Sequence, residues 1–155
     1  MTSARPFVWL SSLDDETISF YLSAFEGSTA SDVSRMQGPD GESVVMATLS
    51  LPGFDLMLFN GGPFQEPNMA ISFFVSCDSQ EEIDRLWDHL RAGGDGGQCG
   101  WVTDPYGVTW QIVPSVLGEL MGGPDPERSA RVREAMFKMG KLDIGKLRAA
   151  YEGID

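Results

Sequence analysis

One helical stripe occurs twice in the chain. Ile18, Tyr21, Leu22 and Phe25 stand at i, i+3, i+4 and i+7, and Ile83, Leu86, Trp87 and Leu90 repeat the arrangement 65 residues later. Apolar residues at that spacing share one face of an α-helix. A stripe repeated at a fixed interval means that one supersecondary unit is used twice. Capping signals precede both copies: Ser12 or Asp14 before the first, and Ser79 with Glu82 three residues on before the second. Glycines mark the expected ends, near Gly27 and Gly93. The same spacing carries the strand-like Phe7 to Leu10 onto Ser72 to Val75. Each unit therefore begins strand, then helix.

Three more strands follow the first helix: Asp32 to Gln37, Ser43 to Leu51 and Asp55 to Asn60, the last two joined by a tight turn at Pro52-Gly53. After the second helix, the Gly-rich Gly93 to Gly97 leads to strands at Cys99 to Thr103 and Val108 to Val113, joined by the turn Asp104 to Gly107. The final strands align at a spacing of 54, Gly107 on Gly53 and Gln111 on Met57, so about eleven residues are missing from the second unit and one strand there is expected to be short. The fold class expected is α+β: two βαβββ modules with mixed curved sheets, at 5–62 and 69–114, plus C-terminal helices. Residues 1–121 form the body and 122–155 a helical appendage packed on it. The tail pattern is helical at Val116 to Met121, Pro126 to Met139 and, after the N-cap Asp143, Ile144 to Tyr151. Its stripe of Val132, Ala135, Met136 and Met139 reads as core or dimer contact.

Charge narrows the partners. The 155 residues carry a formal net charge of −12, which opposes nucleic acid and anionic membranes alike. Residues 1–125 hold 4 basic and 18 acidic side chains, and 126–155 hold 7 and 5. The tail is thus fitted to lie on an acidic body, or to serve as a basic arm. No apolar run approaches a membrane span of about 20 residues, and Met1 to Arg5 has no signal-peptide pattern, so a cytoplasmic location is expected. Two cysteines, Cys77 and Cys99, are too few for a disulfide framework.

The segment Gly97 to Pro114, GQCGWVTDPYGVTWQIVP, resembles the signature of PhnB-like proteins, a branch of the glyoxalase/bleomycin-resistance (vicinal-oxygen-chelate) superfamily also labelled 3-demethylubiquinone 3-methyltransferase-like. Pro6 to Trp9, Phe20-Tyr21, Phe54 to Pro63, Ala70 to Phe73 and the tail from Pro124 to Leu147 are similar to it as well. The resemblance implies paired βαβββ modules around a cavity, usually in a homodimer. It also implies where a metal would be held: at Gln111, at Met57, near Ala70 and within Arg5 to Phe7. Amide, thioether and methyl groups are poor substitutes for the imidazoles and carboxylates that Zn²⁺, Ni²⁺ or Mn²⁺ prefer. Neither a metal nor another cofactor is expected. S-adenosylmethionine has no Gly-rich turn and partner acid to bind, and Asn60 to Pro63 lacks the lysine of a phosphate loop.

Period-2 alternation sorts the candidate pocket. Ile71, Phe73 and Val75 suit the face beneath a helix, leaving Ala70, Ser72 and Phe74 toward the cavity, and Gln111 shares a face with Thr109 and Val113. The ligand-binding candidates are Trp9, Met57, Phe59, Ser72, Phe74, Cys99, Trp101 and Gln111, an apolar and aromatic set with a few polar atoms that suits a small organic molecule. A filled sandwich core is the competing reading. Cys99 is the candidate nucleophile, or else a small buried hydrophobe, as free cysteine usually is. Cys77 is read as structural and His89, the lone histidine, as a surface residue of the second helix. Three functions stay open: a metal-free small-molecule-binding protein, a metal-independent enzyme using Cys99 or a pocket carboxylate such as Asp104, and a structural or regulatory dimer.

Overall fold

The computed structural model describes residues 2–39, 41, 43–92 and 95–154. The helix end expected near Gly93 lies outside them. The described chain forms two compact units, Met1–Asn68 and Met69–Asp155.

The first unit contains β1 (Phe7–Leu10), α1 (Asp15–Ala24), β2 (Thr29–Gln37), β3 (Ser43–Leu51) and β4 (Phe54–Asn60). Its sheet order is β1-β4-β3-β2, with β1 parallel to β4 and the remaining pairs antiparallel. Asp14 caps α1 in a reciprocal box with Thr17, whose N–H donates to Asp14 Oδ1 at 2.8 Å. Alternation decides which face each strand buries. Val45, Ala47, Leu49 and Leu51 on β3, with Leu56 and Leu58 on β4, are buried together with Ile18, Tyr21 and Phe25. The other face carries Phe7, Trp9, Met57 and Phe59, brought side by side by the registers Phe7↔Met57 and Trp9↔Phe59.

The second unit repeats the plan: β5 (Phe73–Cys77), α2 (Gln80–Arg91), β6 (Asp95–Gly96), β7 (Trp101–Thr103) and β8 (Thr109–Pro114), in the order β5-β8-β7-β6 with β5 parallel to β8. The short strand expected here is the two-residue β6. Ile83, Leu86, Trp87 and Leu90 of α2 are buried with Trp110 and Ile112 of β8 and Cys77 of β5. A large aromatic such as Trp110, fully buried, contributes on the order of 3 kcal/mol or more to a core. Its indole N–H donates to Asp104 at 2.9 Å.

Three helices complete this unit, α3 (Leu117–Gly122), α4 (Pro126–Phe137) and α5 (Ile144–Glu152). Val113, Leu117, Leu120, Val132, Leu142 and Leu147 form their common core. Arg131 donates to the carbonyls of Ala150 and Tyr151 at 2.9 and 2.8 Å, filling acceptors at the C-terminal end of α5. Gln80 ties α2 to the tail by donating to the Leu142 carbonyl at 3.1 Å and accepting from Ile144 N–H at 2.8 Å. Lys141 pairs with Asp84 and Asp88 at 3.2 and 3.0 Å.

Two expectations need correction. The fifth strand begins at Phe73 rather than Ala70, so Ile71, expected beneath the helix, is 76% exposed. Alternation has meaning only inside a ladder, and none reaches back to Ile71. The seventh strand begins at Trp101 rather than Cys99, because Cys99 takes a left-handed φ of 56° and the chain turns there. Backbone N–H groups of Cys99 and Gly100 donate instead to the Met139 and Gly140 carbonyls, both at 2.8 Å. Gly100 must be glycine: at φ 83° a Cβ would lie 2.6 Å from the Ile112 carbonyl oxygen.

Candidate functional site

On the open face of the second sheet, β5 and β8 hold Phe74 and Gln111 in register. Trp101 lies opposite Gln111 on β7, which places Phe74, Gln111 and Trp101 in one row across the face away from Trp110. The Gln111 amide nitrogen donates to Ser72 Oγ at 2.8 Å. Beside this row lies a concavity of about 430 Å³. Phe74, Ser76, Gln111 and Val113 supply its sheet side, Cys99 one edge, and Leu117, Gly118, Met121 and Met136 the helical side, with Pro114 and Ser115 where the two meet. Among the described residues no Asp, Glu, Lys, Arg or His lines it.

Of the residues chosen from sequence, Phe74, Cys99 and Gln111 line the concavity, and Ser72 reaches it through Gln111. Trp101 shares their row but is not in the wall. Trp9, Met57 and Phe59 belong to the first unit, where Phe59 makes ring contacts with Trp9 and Phe7. Trp9 meets Phe59 edge-on at 5.0 Å between ring centroids, and its indole N–H donates to the Gly62 carbonyl at 3.0 Å. Gly61 makes room for that indole, since a Cβ there would come within 2.0 Å of the ring. Sequence reasoning missed the helical wall. The Met136 stripe was visible but read only as core or dimer contact.

Cys99 is half-buried, with its Sγ 3.6 Å from the Met136 carbonyl oxygen. Cys77 is buried, and burial foremost, with the nearby Glu82 charge, pushes its thiol up to about 12, so it is inert as a nucleophile at neutral pH. Asp104 does not serve the pocket. Its carboxylate accepts from Tyr106 N–H, Val108 N–H and the Trp110 indole at 2.9, 3.0 and 2.9 Å, bracing the β7–β8 turn on the side of the sheet opposite Gln111. His89 is half-buried in the last turn of α2.

The positions where a metal would be held do not fit one. Met57 faces Phe7, Gln111 faces Phe74, and Ala70 is exposed outside any strand. Among the described residues no three His, Cys, Asp or Glu side chains come together. Gln111 offers one neutral amide oxygen, far short of a divalent transition-metal site.

Two βαβββ units, each with its first strand parallel to its last and the module's own helix between its first two strands, define a vicinal-oxygen-chelate fold of the glyoxalase and bleomycin-resistance type. The model of the 3-demethylubiquinone-9 3-methyltransferase family matches residues 2–113, and the chain belongs to that PhnB-like family. The match ends before the tail that was expected to share the likeness. Among solved structures, a PhnB protein from Bacillus cereus is 28% identical over 74% of this chain and 100% of its own, with a TM-score of 0.66. The protein PA1353 from Pseudomonas aeruginosa is 21% identical over 74% and 98%, with a TM-score of 0.58. The fosfomycin resistance protein FosX from Listeria monocytogenes, complexed with Mn(II) and sulfate, is 12% identical over 72% and 89%, with a TM-score of 0.51. At those last two identities the likeness is one of fold alone. No curated protein matches the chain. Among the described residues no helix is long and apolar enough to cross a membrane.

Proposed function

We propose that this protein binds a small organic molecule, without a metal, in the concavity over Gln111. The observation that carries the reading is a space of about 430 Å³ with mostly apolar walls and a few hydrogen-bonding groups, lying over the sheet face that bears the Gln111 amide. Sites for small ligands are typically roughly 300–1,000 Å³ and mostly apolar, with a few polar groups that fix orientation. The same composition argues against a merely filled core. A metal-independent reaction at Cys99 is the second reading, favoured by the thiol's place at the pocket edge; the companion idea of a pocket carboxylate at Asp104 is dropped, because that carboxylate is engaged elsewhere. Methyl transfer is not carried over from the family's description: both sheets are mixed and four-stranded, unlike the doubly wound parallel sheet that usually holds S-adenosylmethionine. The free thiols suit a reducing compartment such as the cytoplasm.

Elemental analysis and native mass spectrometry of protein purified without added metal test this directly. The expected result is no stoichiometric Zn, Ni, Mn or Fe and a co-purified small molecule on the chain. One bound transition metal per chain would overturn the metal-free reading.

A further inference from the structure

We propose that Gly118 is the specificity-determining position of this pocket, kept free of a side chain so that an uncharged, mainly apolar ligand with a hydrogen-bond donor can lie against α3. The proposal rests on the reading of the concavity as a ligand site. Gly118 stands in the first turn of the six-residue α3, a place where alanine would serve the helix at least as well. Backbone geometry does not require a glycine there, because Gly118 is not among the glycines with positive φ. Packing does not require one either: a Cβ built there meets nothing within 4 Å. The contrast with Gly100, which both its φ and the Ile112 carbonyl require, is direct. Gly118 differs from Gly122 of the same helix, which is equally unconstrained, in that it lines the concavity, together with Leu117, Met121 and Met136 of α4.

Charge and hydrogen bonding define the ligand. Among the described residues the lining has neither a basic nor an acidic side chain, so an ionised ligand would give up part of its hydration without a charged partner, at a cost of up to several kcal/mol by general estimates. An uncharged molecule avoids that cost. The Gln111 amide gives one of its two N–H groups to Ser72, and its oxygen can accept from a ligand's donor. Met121 and Met136 supply unbranched, polarisable side chains that adapt to an irregular apolar body. The wall is firmly placed, since the chain just after α4 is hydrogen-bonded to the turn that bears Cys99.

Fluorescence titration of the full chain with two probes of one skeleton provides the test: N-phenyl-1-naphthylamine, uncharged with one N–H, and its sulfonated anion 8-anilino-1-naphthalenesulfonate. The intact protein is expected to bind the uncharged probe with a blue shift and the anion at least about tenfold more weakly, a difference of about 1.4 kcal/mol. Gly118→Leu is expected to weaken the uncharged probe by about tenfold without lowering Tm, with Gly118→Ala intermediate. Gly122→Leu, on the same helix but outside the pocket lining, is expected to bind like the parent and controls for the change in helix propensity. Affinity in Gly118→Leu and Gly118→Ala equal to the parent's overturns the role of Gly118, and if the larger variant fails to fold the alanine variant decides alone. Equal affinity for the two probes overturns the uncharged class. If the parent binds neither probe, the ligand-site reading itself fails, and this proposal falls with it.

Discussion

Asp104 and Gln111 show how differently two polar residues of adjacent sequence serve this fold. Asp104 is 2% exposed and its carboxylate takes three hydrogen bonds, two from backbone N–H groups and one from the Trp110 indole. Removing it leaves buried donors without acceptors, each costing roughly 1–3 kcal/mol. Asp104→Ala is therefore expected to destabilise the protein by about 3 kcal/mol in urea unfolding while leaving probe binding in the folded protein unchanged; a loss of binding with unaltered stability would return Asp104 to the pocket. Gln111 is half-buried, makes one side-chain hydrogen bond, and faces the open side of the sheet. Its face was legible from period-2 alternation with Trp110 and Ile112. Alternation also puts Phe74 on the face it shares with Gln111, yet it carries no sign of Gly118 or Met121, because a helix that closes over a sheet is a tertiary event with no local signature. Cys99 reached the pocket edge by a different route from the one expected. A left-handed turn puts it there, not strand alternation.

At the scale of elements, the repeated stripe was read with its caps. Ser79 accepts from Glu82 N–H at 3.2 Å as expected, and of the two residues offered for α1 it is Asp14 that caps, so cap and stripe keep the spacing of 65 in both helices. The leading strands do not: Phe7 pairs with Met57 as Phe74 pairs with Gln111, a spacing of 67. The two-residue difference lies in the strand-to-helix connection, where loop length changes without disturbing either periodic element. Helix stripes reveal their register in sequence, and short strands with exposed ends, such as β5, do not. The α1 cap makes a pH-dependent prediction. Hydrogen bonds from the Thr17 backbone N–H and then its hydroxyl hold the Asp14 carboxyl below its ordinary value of 3.8. A lowered folded-state pKa means stability that is present above the unfolded value and lost as pH falls through the folded one. Asp14→Ala is expected to cost about 1 kcal/mol at neutral pH. The gap between variant and parent should narrow below about pH 4, as the parent's carboxyl is protonated. A gap that stays constant down to pH 2 would show that the carboxylate's charge contributes nothing to the cap.

For the whole molecule, the tail is the segment whose role the sequence left most open. Its basic residues were read as able to lie on the acidic body or to reach a partner. Within the second unit Lys141 pairs with Asp84 and Asp88, while Arg131 turns to the end of α5. Exposed ion pairs of this kind are worth at most about 1 kcal/mol each, so charge is not what holds the tail. The apolar cluster is, since Val132, Leu142 and Leu147 of the tail are at most 1% exposed and bury Val113, Leu117 and Leu120. We propose that residues 1–121 act as the glyoxalase-like body and 122–155 as an appendage that covers α3 and supplies Met136 to the helical side of the pocket. We also propose a homodimer, on the ground that Phe7 of the first unit and Ile71 and Phe74 of the second each stand more than half exposed, and large apolar side chains left exposed are commonly covered by association. Light scattering coupled to size exclusion is expected to give twice the 16.9 kDa of the chain at micromolar concentration. A single-chain mass that holds on tenfold concentration would remove the dimer. Truncation after Pro124 separates the two roles. It deletes Met136 and the three most buried tail residues, so Tm and solubility are expected to fall and binding of the uncharged probe to weaken, while any pairing that does not use the tail persists. A truncated chain as stable as the full one, and binding the probe as tightly, would show that the tail neither completes the core nor walls the pocket.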